Sequence, residues 1–148
     1  MVVENSFTAA QLIEKRETAI ADIKKYWGII YAQNVFKKSI TRDFDIITTY
    51  KKVSETELNL IKVKMAIQAI NMGLSSMDEM KKDNLYFQIF YLQQLKERKV
   101  KLQKLPIKPN ASEDVKLNEK FVEKEIVKVD NAIKTTEDEI KKHNLALS

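Results

Sequence analysis

The sequence predicts an all-α fold, an antiparallel bundle of three to four long helices with coiled-coil-like packing, and three observations predict it. Only 2 glycines and 2 prolines occur in 148 residues, too few for the tight turns of a many-stranded sheet. Apolar residues recur at three, four and seven positions, the spacing of a helix face. Most of the apolar runs are preceded by a helix-capping signal. The length suits a single domain over residues 1–148.

The first helix is expected over 8–36. Thr8 and Gln11 form a capping box, Phe7 is placed to staple onto Leu12, and Ile13, Ile20, Ile23, Trp27, Ile30 and Asn34 repeat at heptad spacing, with Arg16 and Asn34 as polar members. Residues 37–53 are expected to be irregular. Ile46-Ile47-Thr48-Thr49 favours extended structure inside a helical context, which leaves a loop, a short hairpin or a weak helix open. A second helix is expected over 54–72, with Ser54 and Glu57 as its capping box, Val53 against Leu58, and Gly73 in the left-handed conformation behind it.

Ser75 and Ser76 ahead of Asp78 and Glu79 signal a third helix, 76–104, carried by Met77, Met80, Phe87, Tyr91, Leu95 and Leu102. Between Leu85 and Leu95 this helix is apolar nearly all round, so it is either the central helix or covered by a partner. Pro106 and Pro109 forbid a continuous helix and mark a linker. The fourth helix is expected over 112–146, capped by Ser112. Its seam of Val115, Val122, Ile126, Val129, Ile133, Ile140 and His143 is expected to lie antiparallel to an earlier helix.

Composition removes several kinds of chemistry. Without cysteine, and with His143 as the single histidine, the chain lacks thiolate nucleophiles, disulfides and multi-histidine metal sites. Two glycines build no phosphate loop or dinucleotide fingerprint. Glu139 and His143 share a face, but a di-iron bundle needs two such pairs and two further glutamates. The expectation is a protein that is not an enzyme, with no cofactor and no metal. The start Met1-Val2-Val3-Glu4-Asn5 lacks the basic and apolar regions of a signal peptide, and no stretch reaches 18 apolar residues, so the cytoplasm and no membrane association are expected.

The arrangement resembles the septicolysin-like family of small helical bacterial proteins. The likeness rests on Leu12-Ile13 and Ala19-Ile20-Ala21-Asp22-Ile23, on Leu60-Ile61 ahead of Ile70-Asn71, on Met77 and Asp83, and on Val129-Asp130-Asn131-Ala132-Ile133 closing on Ile140-Lys141-Lys142-His143-Asn144. The resemblance implies a helical fold and no particular activity.

The net charge of +5 concentrates between Lys96 and Lys108, where six cations face only Glu97. Such a run either attracts phosphates or complements the carbonyl end of its helix. A second cationic surface, Lys37, Lys38, Arg42, Lys51 and Lys52 around Tyr50, is partly offset by Asp43 and Asp45; it is either an ordinary exposed connection or a phosphate clamp beside a stacking ring. Trp27 falls on the heptad stripe and reads as core, whereas Tyr26 and Tyr31 flank it and suit an oligomer interface.

The first functional expectation is therefore a non-catalytic homo-oligomer that captures an anionic small molecule, most sharply a signalling nucleotide, as small helical phage proteins that sequester immune signals do. Arg42, Tyr50, Lys51, Arg98 and Lys99 are its expected ligand contacts. A helical scaffold docking a protein partner on the fourth helix, and a weak nucleic-acid binder using the Lys96–Lys108 run, are the alternatives.

Overall fold

The computed structural model describes residues 7–73 and 85–147, and over them the chain is an all-α bundle of four helices with one short two-stranded ribbon. Helix α1 (Ala9–Gln33) starts on the expected capping box: the Thr8 hydroxyl accepts from the Gln11 amide at 3.1 Å, and Gln11 Oε1 accepts from the Thr8 amide at 2.8 Å. It ends at Gln33 rather than at Phe36, because Val35–Lys37 forms strand β1. The capping signal at Ser75 and Ser76 lies outside the described residues.

Helix α2 (Ile46–Asn71) begins at Ile46, so the expected start at Ser54 is corrected, and the irregular reading of 37–53 holds for 38–45 but not for 46–53. Asp45 is the N-cap, its carboxylate accepting from the Thr48 amide at 2.9 Å, while the Thr49 hydroxyl donates back to the Asp45 carbonyl at 2.8 Å. The β-branched run is helical because Ile46, Thr49, Tyr50 and Val53 all face the core. At three-, four- and seven-residue spacing, burial outweighs their modest extended preference. Gly73 closes the helix with φ of 73°, as expected.

Helix α3 (Leu85–Lys104) leads through the proline linker into strand β2 (Glu113–Val115) and then helix α4 (Glu119–Leu147). Ser112 does not cap α4. Its amide and hydroxyl both donate to Asn110 Oδ1, at 3.0 and 2.8 Å, in a turn that feeds β2, and Asn118 caps α4 by accepting from the Phe121 amide at 2.9 Å. The ribbon is antiparallel, pairing Val35 with Val115, Phe36 with Asp114 and Lys37 with Glu113. It clasps the end of α1 to the start of α4.

Helix α1 packs along α2, and α3 packs along α4 in antiparallel fashion, with Lys96 opposite Glu137 and Lys99 opposite Asp130. The main core joins the two pairs: Trp27 and Ile30 from α1, Tyr50 and Val53 from α2, Leu95 and Leu102 from α3, Val122 and Val129 from α4. Edge-on ring contacts run from Trp27 to Tyr50 at 5.9 Å and from Tyr50 to Phe121 at 5.7 Å. The α4 seam is thus closed within the chain. A smaller cluster of Leu12, Val63 and Ala66 fills the far end.

The heptad stripe of α1 divides. Trp27 and Ile30 are buried, but Ile13 and Ile20 are each 43% exposed, and Leu12 and Ala19 take the inward positions. A straight helix drifts against a seven-residue repeat by about 20° per heptad, and over the length of α1 that drift turns the early members outward.

Candidate functional site

The chain's ends of order meet at one corner, where α1 stops, β1 leaves, and α2 begins after a loop over 38–45. Asn34, wholly buried, ties this corner together: its Nδ2 donates to the carbonyls of Pro106 at 2.8 Å and Leu117 at 2.9 Å, and its Oδ1 accepts from the Leu117 amide at 2.7 Å. Arg42 reaches back from the loop to cap α1. Its Nε donates to the Gln33 carbonyl at 2.7 Å and its Nη2 to the Asn34 carbonyl at 3.0 Å, and the same nitrogen pairs with the Asp114 carboxylate. These are the last carbonyls of a helix, which have no partner within it.

With Arg42 so fixed, the loop encloses a pocket of about 400 Å³. Lys38 comes from the end of β1, Arg42 from the loop and Lys116 from the far side of β2, against one lining carboxylate, Asp45. Ile40, Phe44 and Ile47, between 47 and 52% exposed, supply its apolar walls. A concavity of this size, with apolar walls and a few convergent charges, can hold a small molecule. Hydrogen bonding to the Thr48 amide holds the Asp45 carboxyl below its ordinary value, and Arg42 does the same for Asp114. Folded-state values below the ordinary 3.8 mean that both contributions are present above that pH and are lost as pH falls through the lowered values. Acid below the ordinary carboxylate range is therefore expected to loosen this corner, seen as faster amide exchange at Thr48 and Thr49, with Asp45→Asn keeping the cap and removing its share of the pH dependence.

The five expected contact residues separate. Arg42 is at the pocket, and Lys51 is exposed on α2 one turn beyond Ile47, at the pocket's edge. Tyr50 points inward. Its hydroxyl donates to Glu125 at 2.9 Å, and burial, followed by this hydrogen bond, raises its phenol well above the ordinary range. Arg98 pairs with Glu57, whose side chain is only 4% exposed, and Lys99 pairs with Asp130 at 2.6 Å. Burial raises the Glu57 carboxyl, and Arg98 pulls the other way. Arg98 and Lys99 therefore fasten α3 to α2 and α4, away from the pocket.

Sequence reasoning missed Lys116 and the walls Ile40, Phe44 and Ile47. Lys116 is distant along the chain, and the β1–β2 pairing, continued by its amide on the Asn34 carbonyl at 3.1 Å, brings it to this corner. A concavity of about 640 Å³ between α1 and α2 is lined by Glu14, Asp22 and Glu55 against Lys15, which disfavours an anion. Among the described residues no cluster of His, Asp and Glu is placed to hold a metal ion, and no helix is long and apolar enough to cross a membrane. In comparisons with known proteins, no family model, no curated protein and no solved structure matches the chain.

Proposed function

We propose that this chain is a non-catalytic, homo-oligomeric binding protein that captures an anionic ligand of the nucleotide class in the pocket formed by Lys38, Arg42 and Lys116. The observation that carries the reading is the convergence of three cations on one concavity of about 400 Å³, with a single lining carboxylate and three half-exposed apolar walls. Lys38 and Lys116 attract and neutralise phosphate oxygens, while Arg42, held by backbone carbonyls and paired with Asp114, fixes the wall between them. Phe44, Ile40 and Ile47 offer apolar surface to a base or ring.

Native mass spectrometry of the protein purified from cells tests this reading, since it reports assembly and retained ligand together. The expected result is an oligomer carrying a releasable mass of nucleotide size. The variant Lys38→Ala/Lys116→Ala, altered at two exposed positions, is expected to bind at least tenfold more weakly, about 1.4 kcal/mol, with unchanged helicity. A bare monomer, or full ligand retention by the double variant, contradicts it.

A further inference from the structure

A second concave surface lies on the opposite flank of the core and has no role in the pocket. Helices α1 and α3 do not close against each other; they stand on either side of α2 and leave a groove floored by Glu57, Leu60 and Lys64. Ile20 and Ile23 share one part of it with Gln93 and Gln94, and Ile23 and Trp27 share the next with Arg98 and Lys101, so α1 and α3 run parallel along it. The two adjoining hollows measure about 380 and 140 Å³.

Each lip carries an exposed apolar stripe. Ile13 and Ile20 lie seven residues apart on α1, and Ile89 and Val100 lie eleven apart on α3, spacings that place each pair on one helix face; all four are 41 to 45% exposed. From Ile20 to Trp27 the groove follows α1 for roughly 10 Å at 1.5 Å per residue, about two helical turns, and Ile13 continues the exposed stripe of α1 beyond it. Three helices with an open trough and two apolar lips form the setting in which an amphipathic helix docks.

The charges say what kind of helix. Arg98 is closed by Glu57 and Lys96 is paired with Glu137, which leaves Lys64 and Lys101 among the lining residues against Glu97. Lys96 and Lys101 are exposed, with Lys96 paired at 3.5 Å to Glu137 and Lys101 lying over the Tyr31 ring. Lys64 is half-buried on the floor, donating to Gln93 Oε1 at 3.2 Å beside the Phe90 ring, with no carboxylate among the described residues in salt-bridge contact and Glu97 acting on it only at longer range. Partial desolvation without a close counter-ion makes Lys64 the strongest attractor for an incoming acid. We infer that this groove docks an acidic amphipathic helix of a partner protein, its apolar stripe on Ile13, Ile20, Ile89 and Val100 and its carboxylates over Lys64 and Lys101. A second copy of the chain is the competing occupant.

The test uses the full chain and two labelled synthetic helices of about 18 residues with the same leucine stripe, one flanked by glutamate and one by lysine, followed by fluorescence anisotropy. The glutamate peptide is expected to bind at least tenfold more tightly than the lysine peptide. Ile20→Glu/Val100→Glu is expected to abolish binding of the glutamate peptide, and Lys64→Glu to invert the preference, an inversion that also shows the variant is folded. Equal affinity for both peptides, or no binding of either, overturns the proposal. So does sedimentation showing that self-association occludes the groove and is abolished by Ile20→Glu/Val100→Glu, which assigns the groove to a second copy.

Discussion

Asn34→Asp is expected to cost about 3 to 5 kcal/mol, a large fraction of the roughly 5 to 15 kcal/mol that holds a domain of this size folded. The change preserves shape and keeps an oxygen for the Leu117 amide, but it replaces the two-donor Nδ2 with an oxygen facing the carbonyls of Pro106 and Leu117 at 2.8 and 2.9 Å. A buried charge or a buried mispaired acid is then unavoidable, because the residue has no exposed surface. Asn34→Ala removes the same bonds without adding charge and is expected to cost less, about 2 to 4 kcal/mol. Urea titration measures both. Since Asn34 joins the end of α1, the proline linker and the residue after β2, the loss is expected to disorder the ribbon and the pocket loop together. A change below about 1 kcal/mol in Asn34→Asp would mean that the corner is not the fastening described.

The second large effect concerns Glu57 and Arg98. Glu57→Ala leaves the Arg98 guanidinium, 18% exposed, without its carboxylate and is expected to destabilise the fold by about 3 kcal/mol, the lower end for a buried pair because Arg98 borders the open groove. Glu57→Leu combined with Arg98→Met is expected to fall within about 1 kcal/mol of the parent protein or above it, since an apolar pair of similar volume avoids desolvating two charges. Thermal melts distinguish the outcomes. The double variant also separates the two concave surfaces: ligand capture at Lys38, Arg42 and Lys116 is expected to survive it.

Helix periodicity, the Thr8–Gln11 box, Gly73 and the proline linker were legible in the sequence, because each acts through neighbours within a few residues. The start of α2 was not. Ile46, Ile47, Thr48 and Thr49 read as extended from local preference, and the burial of Ile46 and Thr49 with Tyr50 and Val53 makes the run helical. Ser54 and Glu57 had the spacing of a capping box, yet Glu57 is turned inward to Arg98, a partner 41 residues away that no local pattern discloses. The site was half legible. The cationic character of residues 37–52 pointed to the corner that holds the candidate pocket, but charge alone does not show which cations serve the fold. Arg98 and Lys99 were drawn from a run of like charge, and their acids, Glu57 and Asp130, come from other helices. Lys116 entered through strand pairing between segments too short for alternation to reveal.

The most direct measurement of the central claim is an amide NMR titration of the full chain with a panel of mononucleotides and cyclic dinucleotides. Saturable shifts confined to Lys38–Ile47 and Lys116, and absent from Lys38→Ala/Lys116→Ala, are the predicted result. Shifts centred on residues 93–101, or none with any member of the panel, would contradict it.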